Sequence, residues 1–330
     1  MTLLWPHASI TFACGSAEMS MTIDDDLSHL SLDRDCALTI GVFDGVHLGH
    51  RHLISNLLRE ADRTDRLSAV VTFRNHPATV LKQARRVPLL MDLDDRIGAL
   101  KQLGVDVVVP VTFDRELSQL SAQQFLMTVA DRLRMRALIV GPDFTMGHNR
   151  DGTAETLPSL SRKMGFSFHV VDPLIDRQHM VKSTAIRELV AAGDMKAAAR
   201  MLGRNFEVRG VVARGLERGR ELGFPTANLE MPEPLAVPGD GIYATWAQLA
   251  SGRYMAATSI GVRPTFDEGG RTIEAFILDF SDEIYGQSLR LEFVERLRPE
   301  EKFDSVEALV SQIGKDVEQT RELLAARGPS

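Results

Sequence analysis

Cysteine is almost absent from this sequence of 330 residues, which contains only Cys14 and Cys36. Neither lies at a metal-ligand spacing, and two cysteines make no disulfide framework, so we expect a reducing, cytoplasmic setting. No apolar run approaches the roughly 18–20 residues that span a bilayer, and we predict no membrane partner. The mildly apolar segment 3–14 has no basic region before it, so we interpret residues 1–21 as a disordered extension rather than a signal peptide.

The sequence also lacks an excess of positive charge. Lys and Arg total 38 against 45 Asp and Glu, which gives a net charge of −7. This balance disfavours a general nucleic-acid or anionic-membrane binder, because both normally need a basic face. It does not exclude nucleotides, which need only a local cluster of donors. The length predicts two domains, and 44% hydrophobic residues are enough for a core in each.

The first half alternates apolar runs with amphipathic segments, which predicts a doubly wound parallel sheet, an α/β fold. Helices are predicted at 48–63, 92–104 and 121–133, where Ser121 is a capping residue. A further helix ends, and another strand begins, within 161–174. Predicted strands are 37–43, 68–73, 105–113 and 136–144.

The second half becomes strand-rich near residue 204, after two short helices in 183–203 that join at Gly193. This pattern predicts an antiparallel barrel or sandwich closed by a helix at 305–326. We therefore place one domain at 22–187, a helical linker at 188–203 and a second domain at 204–330. Predicted strands are 205–214, 241–250, 254–261, 272–280 and 287–297.

The segment DGVHLGH (44–50) joins the first strand to the first helix. His47 and His50 are three residues apart, on one face of the first helical turn. Gly45 and Gly49 let phosphates approach the backbone, and the helix N-terminus favours anions. The pattern indicates nucleotidyl transfer; the alternative is two surface histidines in a turn.

The segment KSTAIR (182–187) is a second candidate element. Ser183 or Thr184 is suited to cap the helix that follows, and the guanidinium of Arg187 is suited to phosphate oxygens. Alone, this segment is more often an ordinary capped helix. Paired with the histidine segment, it is typical of nucleotidyltransferases.

The segment 209–229 is basic and glycine-rich and leads into a strand, an arrangement suited to phosphates. Thr226 and Asn228 lie two apart, so they point to one side of that strand and offer hard oxygen ligands to Mg²⁺. No GxxxxGK[ST] loop is present, so a kinase here would use another solution. In 271–280, apolar alternation leaves Glu274 on the face opposite Ile273. Without context, such a glutamate is usually a solvent-facing strand residue.

Taken together, GVFDGVHLGHRHLI (41–54), VVTFRNHP (70–77), GPDFTMGHNRDGT (141–153) and STAIREL resemble the N-terminal module of bacterial bifunctional riboflavin kinase/FAD synthetases. The resemblance continues through PTAN, IGVRPTF, DEIYG and LRPEEKFDSVEAL and covers roughly residues 36–326. It implies an α/β nucleotidyltransferase domain followed by a six-stranded barrel with a C-terminal helix. It also implies that riboflavin, FMN and ATP are substrates, that FAD is a product and that Mg²⁺ assists.

The resemblance implies roles for individual residues. Glu274 would be the general base of the kinase, with Thr226 and Asn228 as metal ligands, while His47, His50 and Arg187 would act on the ATP phosphates. Arg298 would bind flavin or phosphate or, alternatively, form only a rim ion pair. The implied flavin contacts are Asn75 or His76, Asp143, Phe144 and Arg150. The implied ATP contacts are Gly41, Phe43, Asp44, Gly45, Ser183, Thr184, Gly215 and Gly219.

The sequence departs from the family pattern at Thr145, Met146, Lys182 and Ser259. One rival hypothesis is a monofunctional kinase whose adenylyltransferase half has decayed, and the intact His47, His50 and Arg187 speak against it. A second is a flavin-binding regulatory module without turnover. Such a module has no need of two phosphate sites and a catalytic glutamate.

Overall fold

The computed structural model describes residues 23–28, 30–81, 87–176, 179–215, 219, 222–231, 235–262 and 271–327. The predicted extension 1–21 lies outside these residues. No helix in the described ranges is both long and apolar enough to cross a bilayer.

A five-stranded parallel sheet forms the N-terminal module, as predicted, in the order β3-β2-β1-β4-β5. Its strands are β1 Cys36–Ile40, β2 Leu67–Phe73, β3 Val107–Val111, β4 Met135–Val140 and β5 Ser167–Val170. β1 is buried along its whole length because it lies at the centre of the sheet, with helices on both faces. Separate hydrophobic clusters occupy the two faces.

Helices connect these strands and continue into the second module. They are α1 Ile23–Leu27, α2 Leu48–Arg63, α3 Pro77–Leu81, α4 Leu93–Gln102, α5 Ala122–Arg132, α6 Leu157–Met164, α7 Ser183–Ala192 and α8 Met195–Leu202. α2 has the predicted bounds, and Ser121 caps α5 as expected. The sequence analysis missed α1 and α3. It also missed two hairpins of two-residue strands, at 145–153 and 175–180.

The C-terminal module is a closed antiparallel barrel of six strands in the order β6-β7-β10-β9-β8-β11. The strands are β6 Phe206–Ala213, β7 Thr226–Glu230, β8 Gly241–Leu249, β9 Gly252–Val262, β10 Arg271–Ile277 and β11 Ser288–Arg298. α9, Val306–Ala325, packs against β8 and β9. The fold prediction is therefore confirmed in both halves.

Helices α7 and α8 contribute to the same hydrophobic cluster as the barrel. Ile186 and Val190 of α7 and Met195 of α8 lie in it with Phe206 and Phe293. The predicted division at residue 187 falls inside α7.

Candidate active sites

A crevice opens at the carboxyl edge of the parallel sheet, between the loops that follow β1 and β4. β2 and β3 lie on one side of β1, while β4 and β5 lie on the other. The chain therefore departs in opposite directions at this point, which is where doubly wound sheets bind ligands. The crevice is lined by the predicted residues Gly41, Phe43, His47, His50, Asp143, Phe144 and Ser183.

The two histidines of the first loop are stacked beside this crevice. Their ring centroids are 3.6 Å apart, with an interplanar angle of 15°. His47 is the N-cap of α2, and its Nδ1 accepts the backbone N–H of His50 at 3.2 Å. Phe43 contacts the other side of His50, with 5.1 Å between ring centroids. The predicted pairing of the imidazoles is confirmed, and it positions both rings at a helix N-terminus.

Both imidazoles are held neutral. Burial, assisted by the positive charges of Arg204 and Arg187, lowers the pKa of His47 to about 4. Burial also lowers the pKa of His50 well below its ordinary value, with further contributions from His47 and Arg96. Because Nδ1 of His47 accepts a hydrogen bond, the single proton of the neutral ring is assigned to Nε2. His47 is therefore a hydrogen-bond donor through Nε2.

Asp44 is a buried anchor for the histidine loop. Its Oδ2 accepts from Nη1 of Arg187 at 2.7 Å, and its Oδ1 accepts the backbone N–H of Leu90 at 2.8 Å. Burial raises the pKa of Asp44, opposed by the Leu90 N–H and by Arg187. Asp44 and Arg187, both predicted to contact ATP, are thus joined to each other beneath the crevice rather than lining it.

The capping prediction for α7 is wrong. The N-cap is Lys182, whose backbone is extended and whose side chain makes no cap bond, while Ser183 and Thr184 already belong to the helix. The hydroxyl of Ser183 donates instead to the Asp44 carbonyl at 2.9 Å. The Ser183 hydroxyl therefore binds the histidine loop instead of capping α7 as the local sequence would predict. The N-terminus of α7 is consequently left without a side-chain cap beside the crevice.

Two features of this loop were not predicted from the sequence: a buried arginine that supports it and an unusual backbone conformation. Arg96 of α4 is fully buried, and its Nη1 donates to the carbonyls of Val42 at 2.9 Å and Phe73 at 2.7 Å. In addition, Phe43 and Val46 have φ of +52° and +38°, values that non-glycine residues rarely adopt. The available signal for Arg96 was its position four residues before Leu100, on the face that helical spacing buries.

The residues predicted to bind flavin are only partly brought together. Asp143 lines the crevice and forms an ion pair with Lys182 at 2.7 Å, and Phe144 lies beside it. Asn75 instead exchanges two hydrogen bonds with the backbone of Phe113, at 2.7 and 2.9 Å, which joins the ends of β2 and β3.

Two other predicted flavin contacts lie outside the crevice lining. His76 accepts the backbone N–H of Ala78 at 3.1 Å, and burial, followed by the charges of Arg187 and Arg96, lowers its pKa. Arg150 is exposed, with φ of +59°, in the loop after β4.

A second site lies on the outer wall of the barrel. Glu274 of β10 stands between Asn228 of β7 and Ser259 of β9 in the strand register. The hydroxyl of Thr226 donates to Oε2 of Glu274 at 3.3 Å. Ala227 and Ala275 face the opposite way and are buried, and so is Ile273, on the face that the alternation in 271–280 set against Glu274. A hydroxyl, an amide and a carboxylate therefore share one surface of two adjacent strands, β7 and β10.

Gly215 and Gly219 of the glycine-rich segment lie directly over these residues. A Cβ at Gly215 would overlap the side chain of Asn228, and one at Gly219 would overlap the carbonyl of Phe224 beside Thr226. Glycine is therefore required at both positions for the loop to approach the polar residues this closely.

Arg298 is separate from this cluster. It lies three strand spacings from Glu274 along the barrel wall, or roughly 14 Å. Its guanidinium holds Asp316 of α9 with distances of 2.9 and 2.8 Å. This geometry favours the ion-pair alternative over flavin binding.

The oxygen set of the barrel site fits Mg²⁺. A threonine hydroxyl, an amide oxygen and a carboxylate are hard donors, and the nucleotide phosphates and water commonly supply the remaining Mg²⁺ ligands. In the described part of the chain, no three His, Cys, Asp or Glu side chains form a metal cluster.

Two family profiles match the chain. The one described as FAD synthetase matches residues 29–185, and the one described as riboflavin kinase matches residues 202–324. The first range contains the crevice and its stacked histidines, and the second contains the barrel site.

Curated relatives are similar over nearly their whole length. The bifunctional riboflavin kinase/FMN adenylyltransferase of Haemophilus influenzae is 36% identical over 87% of this chain and 93% of its own. The Listeria monocytogenes protein of the same name is 34% identical over 89% and 94% of the two chains.

A crystal structure named as a macrolide-efflux protein from Streptococcus pneumoniae also matches, with a TM-score of 0.83 and 31% identity. The match covers 89% of this chain and 96% of that one. That name describes the Streptococcus protein. For this chain, the match establishes a shared fold across both modules.

Proposed function

The chain belongs to the bifunctional riboflavin kinase/FMN adenylyltransferase family, and from that membership we propose how its two sites divide the two reactions. It is a transferase that phosphorylates riboflavin to FMN and adenylylates FMN to FAD. We assign adenylylation to the crevice of the parallel sheet and phosphorylation to the barrel. The observation that supports this division most strongly is the stacked pair of neutral histidines at the N-terminus of α2.

In the proposed adenylylation, the FMN phosphate attacks the α-phosphorus of ATP and pyrophosphate leaves. Negative charge on the phosphates grows along this path, and neutral donors that are already oriented stabilise it without reorganisation. His47 offers Nε2–H, and the uncapped end of α7 offers backbone N–H groups. Asp44 and Arg187 keep the loop in place from below.

In the proposed phosphorylation, Glu274 accepts the proton of the ribityl 5′-hydroxyl as that oxygen attacks the γ-phosphorus of ATP and ADP leaves with the bridging oxygen. The hydroxyl of Thr226 orients the carboxylate. Thr226 and Asn228 would hold Mg²⁺, which neutralises phosphate charge when bound. The backbone of the loop around Gly215 and Gly219 would cover the phosphates.

The partners in this proposal are small molecules: riboflavin, FMN and ATP. Both reactions consume ATP and the chain contains only two cysteines, which supports a cytoplasmic location. No nucleic-acid or membrane partner is proposed.

The proposal is tested with the purified protein, riboflavin, ATP and Mg²⁺, resolving FMN and FAD by chromatography. Glu274→Gln should lower the turnover of FMN formation by about 10²–10⁴-fold with little change in substrate affinity. FAD formation from supplied FMN should be unchanged in that variant. Glu230→Gln, on the neighbouring strand and exposed, is the matched control.

The converse variant is His50→Ala, which should lower FAD formation by about 10²-fold and leave FMN formation intact. His169→Ala, an exposed histidine of β5, is its control. Equal loss of both activities in either variant would contradict the division into two sites. Near-normal turnover of Glu274→Gln at saturating substrates would remove Glu274 from the mechanism.

A further inference from the structure

The junction between α8 and β6 packs directly against the histidine loop. A Cβ at Gly45 would lie 2.9 Å from the side chain of Leu90 and 3.4 Å from that of Leu202, while a Cβ at Gly203 would lie 2.5 Å from the side chain of Leu48. Neither glycine leaves room for a side chain. The loop that carries His47 therefore rests on residues that lead into the barrel.

Arg204 makes the polar contact across this junction. Its Nη2 donates to the carbonyl of Gly45 at 2.9 Å, two residues before His47 in the chain. Its Nη1 is buried and has no hydrogen-bond partner among the described residues. Burying a guanidinium costs desolvation free energy, which hydrogen bonds to the buried group offset. The hydrogen bond that Arg204 makes is to the histidine loop.

The charge of Arg204 acts on the same loop. Arg204, from the junction, and Arg187, from α7, both oppose protonation of His47. His50 on α2, on which Arg96 of α4 also acts, and Asp44, which is paired with Arg187, lie beside His47. The charges that act on Arg204 itself are those of Glu207, Asp95, Arg51 and Arg290. Of the two arginines that lower the pKa of His47, Arg204 is the one that lies outside the N-terminal module.

We propose that Arg204 is a positioning residue for adenylyl transfer, which holds the histidine loop at Gly45 from the first residues of the kinase module. This inference rests on the assignment of FAD synthesis to the histidine crevice. The site for FAD synthesis is consequently completed by a residue beyond the N-terminal module, and the order of the two modules in one chain has a structural role.

The test uses the full-length chain with Arg204→Met, Arg204→Lys and the control Arg200→Met, an exposed arginine one turn earlier on α8. Arg204→Met should lower kcat/KM for FAD formation by about 10- to 100-fold, the scale of a misplaced catalytic group. FMN formation should be unchanged. Arg204→Lys should recover part of the loss, because it restores the charge without the planar fork.

A second measurement separates positioning from a merely structural role. In Arg204→Met, the acidic limb of the pH profile for FAD formation should move to higher pH, because one cation that lowers the pKa of His47 is gone. Arg204→Lys should keep the acidic limb close to that of the wild type.

Wild-type kinetics and pH profile in Arg204→Met would overturn the proposal, and so would equal loss of both activities with a lowered Tm. If Arg204→Met does not fold, Arg204→Lys gives the result alone, and unaltered FAD formation in it refutes the proposal. His50→Ala keeps the two hypotheses apart. If it retains FAD formation, the site assignment itself fails; if it loses FAD formation and Arg204→Met does not, only this inference fails.

Discussion

At the scale of single residues, His47 performs three linked tasks. Its Nδ1 caps α2 by accepting the N–H of His50, its ring stacks on His50, and the residue lines the crevice. The cap requires the neutral ring, because a proton on Nδ1 would replace the accepted bond with repulsion. Burial and two nearby arginines supply that condition.

The neutral state of His47 predicts a pH-dependent stability. Folded His47 has a pKa of about 4, against 6.5 in its ordinary state, so the unfolded chain binds more protons between these values. The free energy of unfolding should therefore fall as the pH is lowered through this window, by about 2 kcal/mol from this residue between about pH 7 and pH 5. His50 acts in the same direction.

The measurement is urea unfolding of His47→Asn and of wild type at these two pH values. Asparagine keeps an N-cap acceptor but does not titrate, so the variant should lose about 2 kcal/mol less than wild type on acidification. His52→Asn, on the same helix, is the control. An identical pH dependence in wild type and His47→Asn would show that folding leaves the pKa of His47 at its ordinary value.

At the scale of elements, three consecutive helices end in left-handed glycines, but these glycines meet different surroundings. Gly165 after α6 has φ of +77°, and an added Cβ would meet nothing within 4 Å. Gly193 after α7 has φ of +78°, and its Cβ would stand 2.7 Å from the hydroxyl of Tyr243. The first glycine satisfies only a backbone requirement, whereas the second also permits the α7–α8 turn to contact the barrel.

This difference predicts a graded series of alanine substitutions. Gly165→Ala should lower the free energy of unfolding by about 1–2 kcal/mol, the cost of a left-handed alanine. Gly193→Ala should cost about 2–4 kcal/mol, because overpacking against Tyr243 adds to that strain. Gly314→Ala, inside α9 with open space around it, should gain about 0.5–1 kcal/mol. Urea unfolding checks all three, and equal costs at Gly165 and Gly193 would show that the barrel yields at this contact.

At the scale of the whole molecule, the two modules pack directly against each other. Leu90 of the N-terminal module lies in the hydrophobic cluster of the barrel, and the N–H of Ala236 donates to the Leu89 carbonyl at 2.7 Å. Arg290 of β11 holds Asp95 of α4 at 3.0 Å. The barrel core also includes Ile186 and Val190 of α7 and Val181, which precedes α7. Residues that belong to the core of the second module therefore already occur before the predicted linker at 188–203.

This packing predicts the outcome of truncation. A fragment from Val181 to Ser330 keeps Val181 and Ile186 in the barrel cluster, whereas a fragment from residue 188 loses both. The longer fragment should be more stable by about 3–6 kcal/mol, at 1.5–3 kcal/mol for each buried aliphatic side chain. Both fragments, when folded, should form FMN because Thr226, Asn228 and Glu274 are present. Urea unfolding and the kinase assay test this, and equal stability would mean that α7 is dispensable to the barrel.

The fold of both modules and the local arrangement of several candidate site residues were predictable from the sequence. Three patterns depend only on neighbours within a few positions, so they can be read from the sequence. They are the helical spacing of 48–63, the alternation around Glu274, and the spacing of two between Thr226 and Asn228. The same holds for the change near residue 204 from strands alternating with helices to strands alone.

The partners of those residues were decided only by the tertiary structure. Arg187 binds Asp44 across 143 positions, Arg204 reaches Gly45 across 159, and Ser183 gives its hydroxyl to Asp44 rather than to its own helix. Local propensity predicts the backbone conformation and capping that a residue favours next to its neighbours in the chain. A tertiary hydrogen bond or a pKa shift depends instead on which groups are buried together. The sequence by itself determined two modules and their chemical groups. The tertiary structure decided which of those groups line the crevice and which hold the others in place, because folding sets the distances between remote residues.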